Sequence, residues 1–179
     1  MKIVQIDDVY IDLLRQEFPK VLDSKRFHRS HTRKYIGVIF IMGNFNYYAP
    51  FSSPKPRDYN SDGTIKKNNI FSLKIKKNEN GKEILLGTIK LNNMIPVPMI
   101  YVGGYSFEEE SDIKYANLIE DEFKWIGKNQ SKIIKSARII YNLKKHEQEM
   151  ITDENKHIYD AILPFQEIEE FLILKKLIK

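Results

Sequence analysis

Hydrophobic positions recur with two different periods along this chain, and the change from one to the other falls near Gly103-Gly104. Before that point the apolar residues come in short runs or alternate singly, the signature of strands. Ile3–Ile6 predicts a first short strand, and Asp7 is placed to cap a following helix on which Tyr10, Leu13 and Leu14 share a face, closed by Pro19. The run from Tyr35 to Met42 is rich in β-branched and aromatic residues and apolar throughout. It predicts the central strand, buried on both faces. Gly43-Asn44 then predicts a hairpin turn, with Phe45 to Phe51 returning as the antiparallel partner.

Pro54 lacks a backbone donor and biases Ser53 toward an extended conformation, so that strand should end at Ser52-Ser53 and open into a polar loop running to Asn69. From Ile70 to Ile75 the chain alternates, Phe71, Leu73 and Ile75 against Ser72, Lys74 and Lys76, as a half-buried strand requires. Asn80-Gly81 predicts a second hairpin, with Lys82 to Leu91 pairing back. Pro96 and Pro98 interrupt any regular element before a last strand at Ile100–Val102.

Beyond Gly103-Gly104 the period becomes helical. Ile113, Ala116, Leu118, Ile119, Phe123 and Ile126 predict one helix, Ile133, Ile134, Ala137, Ile140 and Tyr141 a second from Ser131, and Phe165, Ile168, Phe171, Leu172 and Leu174 a terminal one from about Pro164. About six strands followed by helices predict an α+β fold, a twisted antiparallel sheet with helices packed on it. The 179 residues, 42% of them hydrophobic, suit one core, so a single domain spanning 1–179 is expected.

Charge adds a direction to this picture. A net charge of +5 is unevenly spread: Lys20, Lys25, Arg26, Arg29, Arg33 and Lys34 cluster with His28 and His31 against Asp23 alone. Further basic stretches run over 55–77 and 132–145, while 108–122 and 147–170 are acidic. A basic face suits a polyanion such as RNA, although lysine-rich solvated surfaces have the same composition. The absence of cysteine excludes disulfides and thiolate metal sites. No apolar run reaches the roughly 20 residues that span a bilayer. A cytoplasmic protein without membrane partners is expected.

Phosphate-loop, dinucleotide, zinc-protease and serine-hydrolase motifs are all missing. His28-Arg-Ser-His31 has a spacing found in some metal sites, but surrounding cations would repel the ion, so neither a metal nor any other cofactor is expected. The segment that stands out is Tyr47-Tyr48-Ala49-Pro50-Phe51-Ser52-Ser53-Pro54-Lys55, where two hydroxyls and an ammonium emerge together from a strand end. It reads either as a polar turn with two prolines or as a site for an RNA phosphodiester. The second needs groups that activate the ribose 2′-hydroxyl, stabilise a dianionic phosphorane and protonate the departing 5′-oxygen.

That string, preceded by Tyr35-Ile-Gly-Val-Ile-Phe after a basic loop and followed by Leu86-Gly-Thr-Ile-Lys-Leu-Asn-Asn-Met-Ile-Pro-Val-Pro98, resembles the ToxN/AbiQ toxins of type III toxin-antitoxin systems. The resemblance covers Met1 to Pro98 and extends more loosely through the helices. It implies a compact, highly twisted sheet surrounded by helices, similar to the MazF-type toxin fold. The implied activity is a metal-independent endoribonuclease cutting adenine-rich RNA to 2′,3′-cyclic phosphate and 5′-hydroxyl ends. The implied partners are cellular or phage mRNA as substrate, and an antitoxin RNA of repeated pseudoknot units that the enzyme processes and that traps it in a closed protein-RNA assembly. Phage abortive infection or plasmid maintenance is the implied role.

Carried over by position, the catalytic serine and lysine fall on Ser53 and Lys55, with Ser52 beside them. Where relatives place a tyrosine and a lysine in the basic loop, this chain has Arg29 and Arg33, and a guanidinium can stabilise a phosphorane but cannot act as a base. Arg33 therefore joins the expected catalytic set, while Lys25, Arg26, Arg29, Lys34, Arg57, Lys66 and Lys67 are expected to contact RNA. Tyr10 matches a tyrosine near the cleft, although its helical spacing equally fits the core. Tyr47, Tyr48 and Tyr59 could stack bases; neighbouring residues on a strand face opposite ways, so only one of Tyr47 and Tyr48 would meet the RNA, and Tyr48 is the expected one. The competing readings are a non-catalytic nucleic-acid-binding regulator and an interaction protein whose basic and acidic faces self-associate.

Overall fold

The computed structural model describes residues 1–23, 33–37 and 39–177. Eight strands form one antiparallel sheet: β1 (Lys2–Ile6), β2 (Lys34–Gly37), β3 (Ile41–Met42), β4 (Phe45–Ser52), β5 (Ser72–Glu79), β6 (Lys82–Lys90), β7 (Ile95–Pro96) and β8 (Val102–Gly104). Their order is β5-β6-β4-β2-β1-β8, with β3 and β7 also paired to β4. The helices are α1 (Asp8–Glu17), α2 (Ile113–Lys145), the short α3 (Glu147–Met150) and α4 (Lys156–Asp160), and α5 (Phe165–Leu174). This is the expected α+β architecture. No helix among the described residues is long and apolar enough to cross a membrane.

The central strand is β4, which pairs with β2, β3, β6 and β7 and buries Tyr47, Tyr48, Ala49 and Phe51. The run Tyr35–Met42, expected to be one continuous strand, is instead divided into β2 and β3. Ile39 N–H donates to the Tyr47 carbonyl at 2.9 Å and Tyr47 N–H to the Phe40 carbonyl at 3.1 Å. Two residues thus oppose one, the arithmetic of a β-bulge, which lets consecutive Ile39 and Phe40 both enter the core. Phe40 lies flat on Tyr47, ring centroids 4.8 Å apart. Gly37 is obligatory for packing: a Cβ there would stand 2.0 Å from the Tyr48 ring.

Both hairpin turns fall where the residues predict them. Gly43 has φ +56°, and Asn80 (φ 52°) and Gly81 (φ 81°) make the paired positive-φ turn that matches strand twist. Three boundaries differ from expectation. Met99–Tyr101 is a 3-10 turn following Pro98, which pushes the last strand to β8, where it edges β1. Pro96, rather than only interrupting, sits in β7 against Tyr47, where no ladder donor is demanded of it. Finally, the two helices expected over 113–126 and from 131 are one 33-residue helix, α2. Ile119, Glu122, Ile126, Ile133, Ala137 and Ile140 keep one buried stripe in phase across Gly127, so packing outweighs the roughly 1 kcal/mol that an interior glycine costs.

Within that stripe one residue is not apolar. Glu122 is buried, 4% exposed, and makes no hydrogen bond or ion pair among the described residues. Its Oε1 occupies the space that a Cβ at Gly87 would fill, 2.3 Å from that ideal position. Desolvation lifts the carboxyl to about 8, so the native state keeps a proton that the unfolded chain releases near 4.3. A raised acid stabilises the fold only below its unfolded pKa, and that contribution drains away as pH rises toward 8. Stability should therefore fall between pH 5 and pH 8 by on the order of 3 kcal/mol more in the native protein than in Glu122→Gln, which stays neutral. Urea unfolding midpoints that run parallel in the two proteins across that range would contradict this.

Candidate functional site

The register of β4, β6 and β5 decides which side chains meet at the open end of the sheet. Phe51 pairs with Ile89 and Ile89 with Leu73, and all three point into the core. One residue along, Ser52 pairs with Thr88 and Thr88 with Lys74, so these three share the opposite face. Ser72 and Lys90 form the next row of that face. Polar residues of three strands thereby become the floor of a cleft of ≈ 380 Å³.

The chain leaving β4 supplies the wall. Ser53 follows the strand end and is exposed, then Lys55 precedes a 3-10 turn, Pro56–Asp58. Asp58 is buried and points back: its Oδ2 accepts the Lys55 backbone N–H at 2.9 Å, and its Oδ1 meets the Lys74 ammonium at 3.1 Å. Burial alone would raise this carboxyl, but the Lys55 amide and Lys74 outweigh that and hold it below the ordinary range. The excursion beyond is tied by Lys66 N–H to the Asp58 carbonyl at 2.9 Å and by a Tyr59–Ile65 bridge. The expected open loop is thus a pinned wall carrying Lys55, Arg57, Lys66 and Lys67 into the cleft.

Of the residues expected from sequence, Arg33, Ser52, Lys55, Arg57, Lys66 and Lys67 line this one cleft. With Lys74 and Lys90 they bring seven cationic side chains around the single carboxylate of Asp58. Ser53 stands outside the lining, next to it in sequence. Arg33 is 5% exposed and its guanidinium is engaged: NH1 donates to the Phe51 carbonyl at 2.7 Å and Nε to the Asp23 carbonyl at 2.9 Å. It pins the end of β4 as well as charging the cleft. Lys25, Arg26 and Arg29, with His28 and His31, lie outside the described residues.

Three expectations need correcting. Tyr10 is fully buried, stacks on Tyr101 at 4.9 Å between centroids and donates its hydroxyl to the Pro96 carbonyl. Tyr48 is 2% exposed, folded over Gly37 with its hydroxyl 3.5 Å from the Met99 sulfur. Neither ring is open to a base, and for Tyr10 the helical spacing with Leu13 and Leu14 already fitted a core position. Lys34 points away from the cleft, opposite Arg33 as strand alternation demands, and is buried with its ammonium 4.5 Å from the Tyr105 ring centre. Burial lowers its pKa, with Glu110 opposing.

Sequence reasoning passed over Asp58, Lys74, Lys90, Asn69, Asn92 and Asn93, all on the cleft lining. For Lys74 and Lys90 a signal existed. The alternation that puts Leu73, Ile75 and Ile89 in the core leaves Ser72, Lys74, Thr88 and Lys90 together on the other face, although a bulge between Ile75 and Lys76 shifts by one residue the register that starts at the Asn80-Gly81 turn. Removing one member of a buried pair leaves the other charge stranded. Lys74→Met should therefore cost about 3 kcal/mol in urea unfolding, and the Lys74→Met, Asp58→Asn double variant clearly less than the sum of the two singles. Additive losses would show that the pair does not couple the wall to the floor.

The sequence model of the family described as "Toxin ToxN, type III toxin-antitoxin system" matches residues 2–172. The chain is 27% identical over 138 residues to "Endoribonuclease ToxN" of Bacillus thuringiensis subsp. kurstaki, covering 76% of this chain and 64% of that protein, thus less than two thirds of its length. It is 27% identical over 144 residues to "Endoribonuclease ToxN" of Pectobacterium atrosepticum, 80% of this chain and 81% of that one. Among solved structures, a toxin from work on "selective toxin inhibition by a non-coding RNA pseudoknot" superposes with a TM-score of 0.81 at 25% identity, over 98% of this chain and 97% of its own.

Proposed function

We propose that this chain, which belongs to the ToxN toxin family of type III toxin-antitoxin systems, is an endoribonuclease whose active cleft is the basic hollow at the end of β4. The observation that carries the reading is the convergence of seven cations and the Ser52 hydroxyl on one floor and wall. RNA carries a charge at every phosphate, so such a cleft draws the backbone in and holds several phosphates at once. The curated relatives named as endoribonucleases and the pseudoknot-inhibited structural neighbour support the same activity and an RNA antitoxin as partner.

In this reading the ribose 2′-oxygen attacks its own phosphate and the 5′-oxygen leaves, giving 2′,3′-cyclic phosphate and 5′-hydroxyl ends without a metal. Lys55 and the Ser52 and Ser53 hydroxyls donate to the non-bridging oxygens as charge grows in the phosphorane. Arg57, Lys66 and Lys67 hold flanking phosphates. Arg33 fixes the end of β4, so that the Ser52 to Lys55 corner cannot drift. The substrates are adenine-rich cellular or phage RNA, and the antitoxin is a repeated pseudoknot transcript that the enzyme processes. The biological outcome is abortive infection or plasmid maintenance.

Purified protein incubated with adenine-rich RNA in EDTA should yield fragments with cyclic phosphate ends, and Lys55→Met should cut at least about 100-fold more slowly. Intact RNA after incubation with the native protein would leave only a non-catalytic RNA binder. Undiminished cutting by both Ser53→Ala and Lys55→Met would remove the β4 corner from the mechanism.

A further inference from the structure

The cleft holds one cation that the reading above leaves without a task. Lys90 ends β6 on the cleft floor, in register with Ser72, two residues past Thr88 on the same face. Its mounting is rigid. Ile89 and Leu91 on either side are fully buried, and Leu91 N–H donates to the Phe71 carbonyl at 2.9 Å. The Lys90 side chain is half-buried, yet its ammonium makes no hydrogen bond or ion pair among the described residues. Lys74, on the neighbouring strand of the same floor, is paired with Asp58 at 3.1 Å. An ammonium kept partly out of water with its donors unspent is costly unless a ligand takes them up.

Resting on the nuclease reading, we propose that Lys90 is the general acid of the reaction, giving its proton to the departing 5′-oxygen. The bond from the 2′-oxygen to phosphorus forms as the bond from phosphorus to the 5′-oxygen breaks. A proton moves from Lys90 Nζ to that oxygen, the 2′-hydroxyl proton passes to water, and water returns a proton to Lys90. The surroundings suit the task. Burial lowers the pKa of Lys90, Asp58 opposes, and Arg57, Lys74 and Lys55 push it the same way as burial. A positioned acid with a pKa nearer neutrality transfers its proton more readily in the transition state. A guanidinium in the same place would keep its proton.

Two substrates separate proton donation from any other contribution. A single-site RNA and its counterpart with sulfur in place of the scissile 5′-oxygen differ in whether the leaving group needs a proton. Lys90→Gln should cut the oxygen substrate about 100-fold more slowly than the native protein, yet cut the sulfur substrate within about threefold of it. Lys90→Arg keeps the charge and should keep KM, but should show the same selective loss, with the alkaline limb of the pH–rate profile displaced upward. Equal losses on both substrates, or rescue of the oxygen substrate by Lys90→Arg, would overturn the assignment and leave Lys90 as a phosphate binder. Native protein that cuts neither substrate would instead overturn the nuclease reading itself, and this inference with it.

Discussion

Asp58 does two things that cannot be separated: one carboxylate oxygen takes the Lys55 amide and the other takes the Lys74 ammonium. Like charges confined to a small cleft repel, and Asp58 is the one buried residue between positions 53 and 70, the loop that carries Lys55 and Arg57. The paired carboxylate supplies both the anchor and the compensation. A buried pair of this kind gives little net stability against an apolar alternative. What it gives is a fixed relation between a loop and a strand, which is what positioned phosphate chemistry requires.

The floor on which that pair rests is a consequence of strand register. Because side chains alternate, the row Phe51, Ile89, Leu73 fills the core and the next row, Ser52, Thr88, Lys74, is delivered to the outer face. A slip of one residue in β5–β6 would bury two lysines and expose the core, so the hydrophobic side of the sheet enforces the polar side. The Asn80-Gly81 turn sets the register only as far as Lys76 and Leu85, and a bulge between Ile75 and Lys76 shifts it by one residue before the cleft. Packing around β4 extends the same logic. Tyr48 over Gly37, Tyr47 on Phe40 and the Arg33 clamp on Phe51 hold β4 along its length, so its last residues leave the sheet in a defined direction.

Much of this was legible in the residues. Alternation marked β5, the glycine turns marked both hairpins, and the Ser52-Ser53-Pro54-Lys55 string marked the strand end that becomes the cleft. What failed did so for identifiable reasons. A bulge is invisible in a continuous apolar run, so Tyr35–Met42 read as one strand. The stretch from Ile113 to Tyr141 read as two helices because helix propensity is local, whereas the stripe that holds α2 together is tertiary. Tyr10 was expected near the cleft from its match to a family tyrosine and Tyr48 as a ring on which a base could stack, and only the packing shows both rings enclosed. Lys74 and Asp58 were passed over because their meaning is pairwise, across 16 positions of sequence.

If Asp58 organises the cleft by holding its wall, its loss should weaken RNA binding even though the cleft becomes more positive. The measurement is the affinity of native protein and Asp58→Ala for an RNA made uncleavable by a 2′-deoxy sugar at the scissile position, across a range of salt concentrations. The expected result is about tenfold weaker binding by the variant at every concentration, because the ordering of Lys55 and Arg57 must then be met on binding. Tighter binding, with a salt dependence steeper by about one phosphate contact, would mean that charge alone makes the site and the anchor is irrelevant.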